Sequence, residues 1–155
     1  MMQDQIAAAI MWLCSIWSPC PRCEMVVNTE ARVELAGSIS EAHTSHGVDP
    51  WVITAMTFYE SSFSAGAEGT RGEHGLLQLM PGILAECERD DIDTQTQSGQ
   101  MWCGARHLRR QIDRCGSVSR GISSFGTGGD CSKETSNWVQ MRIWLAAKLR
   151  KEFGK

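Results

Sequence analysis

The chain carries no excess of positive charge, no apolar stretch of bilayer length, no internal repeat and no clear alternation of polar and apolar residues. Each of these gaps removes a class of protein. A net charge of −3 provides no basic field to hold nucleic acid or an anionic membrane. Ile6 to Trp17 is a twelve-residue apolar run, short of the roughly 20 residues that span a bilayer. It has the length of a secretory-signal core. However, Met1-Met2-Gln3-Asp4-Gln5 has no positive charge and no small-x-small cleavage site follows. The run is therefore expected to be a retained helix, and export is expected to depend on something outside the chain, such as release by membrane lysis. Without strand alternation, the fold is expected to be mainly α, with at most one small β hairpin.

What is present suits one soluble body. With 155 residues, 42% apolar and 21% charged, the chain can bury an ordinary core. Residues 1–28 read as an apolar helix and a Cys/Pro-rich connection packed on the body formed by 29–155. The seven cysteines are 14, 20, 23, 87, 103, 115 and 131. An odd count leaves at least one free or shared between chains, and the rest suit either disulfides or buried thiols. Cys20-Pro21-Arg22-Cys23 is the spacing of a redox pair or half a zinc site. The redox reading lacks its βαβ surroundings, and His43 and His46 miss the finger spacing. Structural sulfur is the better account, so neither a metal nor an organic cofactor is expected.

Local patterns place the helices. Ser18-Pro19-Cys20-Pro21 should break the first. A second should run from about Thr29 to His46, ended by Gly47. Asp49-Pro50 is a strong helix start, with an aspartate cap and proline at the first turn. Val52, Ile53, Met56, Tyr59 and Phe63 then follow at helical spacing, predicting one buried face. Gly66, Gly69, Gly72 and Gly75 stop the helix and indicate a loop. Met101, Ala105, Leu108, Ile112 and Cys115 form the cleanest amphipathic series. A shorter helix through Val118, Ile122 and Phe125 should end at Gly126, Gly128 and Gly129. The last, from about Lys133 to Phe153, should bury Trp138, Met141, Leu145 and Leu149. Lys148, Arg150, Lys151 and Lys155 would complement its negative end. The tryptophans and methionines mostly fall on such faces and read as core.

Tyr59-Glu60-Ser61-Ser62-Phe63, followed by Gly75-Leu76-Leu77-Gln78-Leu79-Met80-Pro81, carries the functional information. A glutamate at a helix end is usually a solvated acid. Here it closes an apolar helix, and burial and the helix dipole would both raise its pKa, as a glycosidase acid requires. The order of segments adds to this. His46-Gly47-Val48-Asp49-Pro50-Trp51-Val52-Ile53-Thr54-Ala55 leads into Glu60-Ser61. Gly72-Glu73-His74-Gly75 leads into Leu76-Leu77-Gln78, then come Ser124-Phe125-Gly126-Thr127-Gly128 and Glu134-Thr135-Ser136-Asn137-Trp138-Val139. In this order and spacing the chain resembles the soluble lytic transglycosylase domain, a relative of goose-type lysozyme, over Ala36 to Ile143, about two thirds of its length.

The resemblance implies a lysozyme-like helical fold. It also implies cleavage of the β-1,4 bond between N-acetylmuramic acid and N-acetylglucosamine in the peptidoglycan of the periplasm or cell wall, by a monomer. Glu60 matches the family's glutamate, which protonates the leaving oxygen and then acts as base. In the lyase reaction the muramic C6 hydroxyl attacks its own anomeric carbon, giving a 1,6-anhydro end. Intramolecular attack makes a second carboxylate dispensable. Ser61 matches a residue that supports the acid. Gln78 matches a glutamine expected to contact an N-acetyl group, with Leu77 in a methionine position. Met80 is expected near the cleft.

The departures define the alternatives. Ser124-Phe125-Gly126 stands where the family has Ala-Tyr-Asn, and Trp138 replaces a tyrosine, leaving Tyr59 as the one phenol. Phe125 is expected to line the site without taking part in the chemistry, and the acid would be positioned by Tyr59, Ser61 or a backbone group. Glu73 stands in an alanine position. It is either a solvated turn residue or a second carboxylate that would make the protein a hydrolytic muramidase, a lysozyme or endolysin. Separations of roughly 5–5.5 Å or 6.5–9.5 Å distinguish retaining from inverting pairs. Asp90, Asp91 and Asp93 read as solvated. The remaining rival is a wall-binding module without catalysis, against which the presence of both Glu60 and Gln78 counts.

Overall fold

The structure, a computed structural model, describes residues 1–16, 23 and 26–155. The Ser18-Pro19-Cys20-Pro21 break lies outside the described residues. The described residues form seven helices and no strand. They are α1 (Met2–Ile16), α2 (Thr29–His46), α3 (Pro50–Ser61), α4 (Pro81–Arg89), α5 (Gln97–Cys115), α6 (Val118–Thr127) and α7 (Asn137–Phe153). The expected hairpin is reduced to isolated bridges joining His74 to Glu68 and to Leu79. The fold is mainly α.

Short polar side chains set most of the helix starts. Asn28 accepts the Ala31 N–H at 3.2 Å to open α2, which ends on Gly47 at φ 66°. Asp49 accepts the Trp51 N–H at 2.7 Å, with Pro50 occupying the first turn of α3. Thr96, Ser117 and Ser136 cap α5, α6 and α7 in the same way.

The expected single buried face of α3 is corrected. Pro50 to Phe58 are all buried, because α1, α2 and α7 pack around this helix. Its hydroxyls can be buried because they bond back one turn. Thr54 donates to the Pro50 carbonyl and Thr57 to that of Ile53, both at 2.8 Å. α1 contributes fully buried Ile6, Ala9, Ile10 and Leu13 to the same core. The α5 series Met101, Ala105, Leu108, Ile112 and Cys115 is buried as its spacing predicts.

Three further corrections bear on the site. α4 was not anticipated, although Pro81 opens it and Ile83, Leu84 and Cys87 share one side. Gly126 lies inside α6, and Gly128 is the stop. α7 starts at Asn137, and its buried side differs from the expected one: Met141 is 46% exposed while Arg142 is 5% exposed. The arginine can face inward because its guanidinium finds partners there.

Disulfides join Cys14 to Cys23, Cys87 to Cys103 and Cys115 to Cys131. Cys23 is therefore not paired with Cys20, which lies outside the described residues, and its sulfur is not free for zinc. His43 is occupied by the Val48 carbonyl at 2.8 Å, and His46 packs on Trp102. Among the described residues, no helix is long and apolar enough to cross a membrane.

Candidate active site

The end of α3 and the loop that follows it are locked together before any cleft is formed. Ser62 and Phe63 turn the chain at φ 50° and 66°, a region unfavourable for side chains. The Phe63 ring, 1% exposed, is anchored in the core and offsets that strain. The Ser61 hydroxyl lies 2.7 Å from the Leu76 carbonyl, tying helix to loop. Gln78 donates both amide hydrogens to carbonyls of the same loop, those of Ala67 and Gly75, each at 2.9 Å. Gln100 reaches across from α5, accepting the Leu76 N–H at 3.0 Å and donating to the Ala65 carbonyl at 3.1 Å. Gly75 is required at that crossing. Its φ is 86°, and a Cβ there would meet the Gln100 oxygen at 2.4 Å.

Between this loop and the α5–α6 pair lies a cleft of about 510 Å³. Glu60, Arg71, Glu73, Gln78, Met80, His107, Gln111, Phe125, Gly126 and Trp138 are among the residues that line it. Glu60, Gln78, Met80, Phe125 and Glu73 are thus brought together. Ser61, Leu77 and Tyr59 stand behind the lining. Leu77 is 2% exposed and packs on Gly104. Ser61 braces the loop without bonding the carboxyl. Tyr59 lies beneath Arg142, whose guanidinium carbon is 5.0 Å from the ring centroid. With both Gln78 hydrogens committed to the loop, its Oε1 is the atom left to accept a ligand N–H.

Each wall is tied to α5. Cys87–Cys103 fastens α4, and Cys115–Cys131 fastens the segment after α6. Arg114 donates to the Gly129 carbonyl at 2.8 Å, and Ser124 donates to Gln111 at 2.6 Å, both of them lining residues.

The two carboxyl groups differ in environment. Burial raises Glu60 above the ordinary glutamate value. Arg142 opposes this through its charge and a hydrogen bond, and the charge of Glu73 adds to the rise. Glu73 is held below the ordinary value, chiefly by backbone N–H groups, its own and that of Arg71. Its bond from the Arg71 N–H is 2.8 Å. One acid is thus suited to hold a proton and the other to stay ionised, the separation that acid/base work requires. His107 is shifted down by burial and favours its neutral form.

Arg142 was missed from sequence. Its Nη2 donates to Glu60 Oε1 at 3.1 Å, with the two side chains 6% and 15% exposed. Its guanidinium lies 3.6 Å from the Trp138 ring centroid. The clue was an arginine four residues after Trp138 and three before Leu145, within an apolar series. Trp138 sits against Gly126, where a Cβ would fall 2.4 Å from the ring. No protein-family model matches the chain.

Proposed function

We propose that this protein cleaves the glycan strands of peptidoglycan as a lytic transglycosylase, with Glu60 as general acid and then base. The observation that carries the reading is a glutamate buried in an open cleft, its pKa raised by that burial. Such a group keeps its proton to higher pH than an ordinary carboxyl, which suits delivery of that proton to a glycosidic oxygen. The cleft volume falls within the range of ligand sites. The mixed lining of Phe125, Trp138, Met80 and amide side chains suits sugar faces and N-acetyl groups. The resemblance across Ala36 to Ile143 points to the same substrate and to a goose-type lysozyme-like fold. Three disulfides suit action in an oxidising space such as the periplasm or wall.

A hydrolytic muramidase is the second reading, and the ionised Glu73 in the same cleft favours it, since a carboxylate there could activate water. Mass spectrometry of digested wall separates the two. Fragments about one water lighter than hydrolysis products, with anhydro ends, support the lyase. Full-mass reducing ends support the muramidase. Glu60→Gln tests both against a non-catalytic wall-binding module: lysis should vanish, and undiminished lysis would remove Glu60 from the chemistry.

A further inference from the structure

We infer that Arg142 is the positioning residue of this acid: it grips one oxygen of Glu60 and takes up the negative charge left when the other gives its proton away. The inference rests on the reading of Glu60 as the acid. Proton transfer goes from Glu60 Oε2 to the glycosidic oxygen, and the C1–O bond breaks with its electron pair going to that oxygen. The muramic C6 hydroxyl then closes on C1 and returns its proton to Glu60. Between those steps a carboxylate stands in a site from which much of the water is excluded. A carboxyl raised by burial alone would give up its proton too reluctantly. A guanidinium 3.1 Å from Oε1 stabilises the anion as it forms.

The surroundings of Arg142 are built to hold it there. Its Nη1 donates to the Trp138 carbonyl at 2.8 Å. Its planar head lies 3.6 Å from the centroid of Trp138 and 5.0 Å from that of Tyr59. Its Nε is buried with no hydrogen-bond partner among the described residues. A buried ion pair is a weak source of stability, weaker still with a polar atom left unpaired. Stability therefore does not account for it.

Gly126 and Trp138 make the arrangement possible together. The indole reaches the place that any side chain at 126 would occupy. The sequence has one tyrosine hydroxyl, that of Tyr59, and a glycine, an indole and an arginine supply the orientation of the acid.

Among the described residues, the other titratable groups that line the cleft with Glu60 or adjoin it on α3 are few. Tyr59 lies beside it on α3, Glu73 and Arg71 come from the loop, and His107 comes from α5. α6 contributes Ser124, Phe125, Gly126 and Thr127, none of which titrates. Arg142 alone of these grips the carboxyl.

The test is the pH profile of wall lysis for the wild type, Arg142→Lys, Arg142→Gln and Arg142→Met, each checked for folding by circular dichroism. The neutral variants should lose roughly a hundredfold in rate, the scale of a misplaced catalytic group. Their alkaline limb should move to higher pH, because Glu60 then holds its proton more tightly. Arg142→Lys should lose rate and keep the limb near its wild-type position. If Arg142→Met does not fold, Arg142→Gln and Arg142→Lys carry the comparison. A limb that stays in place in a folded neutral variant overturns the inference while leaving Glu60 as the acid. Full lysis by Glu60→Gln overturns both.

Discussion

Replacing Gly126 with alanine sets helix propensity against packing, and the geometry decides which prevails. In an ordinary helix interior the change would stabilise by roughly 1 kcal/mol. Here the new Cβ would fall 2.4, 2.5 and 2.9 Å from Cη2, Cζ3 and Cζ2 of Trp138, where ordinary contact begins at 3.4 Å. The ring is not free to yield, because it carries Arg142 at 3.6 Å and stands beside the acid. Overpacking of this kind costs about 1–3 kcal/mol. The net effect is a loss of about 0–2 kcal/mol, or up to about 8 °C of melting temperature at roughly 2–4 °C per kcal/mol. Lysis should fall further than stability, since the displaced ring takes Arg142 away from Glu60. Thermal melting and wall lysis read the two effects separately. Trp138→Tyr in the same chain should relieve part of the alanine's penalty, a coupling that the double-mutant cycle measures. A Gly126→Ala protein that melts higher than wild type and lyses walls at full rate would refute the reasoning.

Wild-type lysis should decline on the alkaline side as Glu60 loses its proton, and the limb should lie above the ordinary carboxyl range because burial raises that group; a limb at ordinary carboxyl pH would contradict this. Ser61→Ala removes the 2.7 Å tie to the Leu76 carbonyl. It should cost about 1 kcal/mol and some rate, with the pH profile unmoved because the hydroxyl does not touch the carboxyl. Gln100→Leu strands the buried Leu76 N–H and the Ala65 carbonyl. A loss of about 2–4 kcal/mol should appear in denaturant titration. Replacing Cys115 and Cys131 with serine opens a cross-link of sequence separation 16, worth about 3 kcal/mol. Melting should drop and lysis weaken, whereas an unchanged melt would show that the cross-link does not hold the cleft wall.

Several elements were legible because their causes are local. Asp49-Pro50 and Gly47 act on the residues next to them, so the end of α2 and the start of α3 follow from their immediate neighbours. The α5 series was equally plain, since one side of that helix meets the core and the other meets water. α3 was less so: its apolar spacing pointed to one buried face, but three helices close around it. Met141 was assigned to the wrong side of α7, and Arg142 was missed, for a related reason. Hydropathy ranks a lone arginine outward, and nothing along the chain announces a carboxylate 82 positions away.

Chain order and side-chain chemistry sufficed for a mainly helical protein, for Glu60 as the notable acid and for the glycine-rich turn after it. They could do so because caps, glycines and apolar spacing act over a few residues. Packing determined the rest. It paired Arg142 with Glu60, seated Trp138 over Gly126, turned Leu77 into the core and brought Glu73 into one cleft with Phe125 and Trp138. Those relations join residues far apart in sequence, and burial, charge and contact between them arise only when the helices have closed.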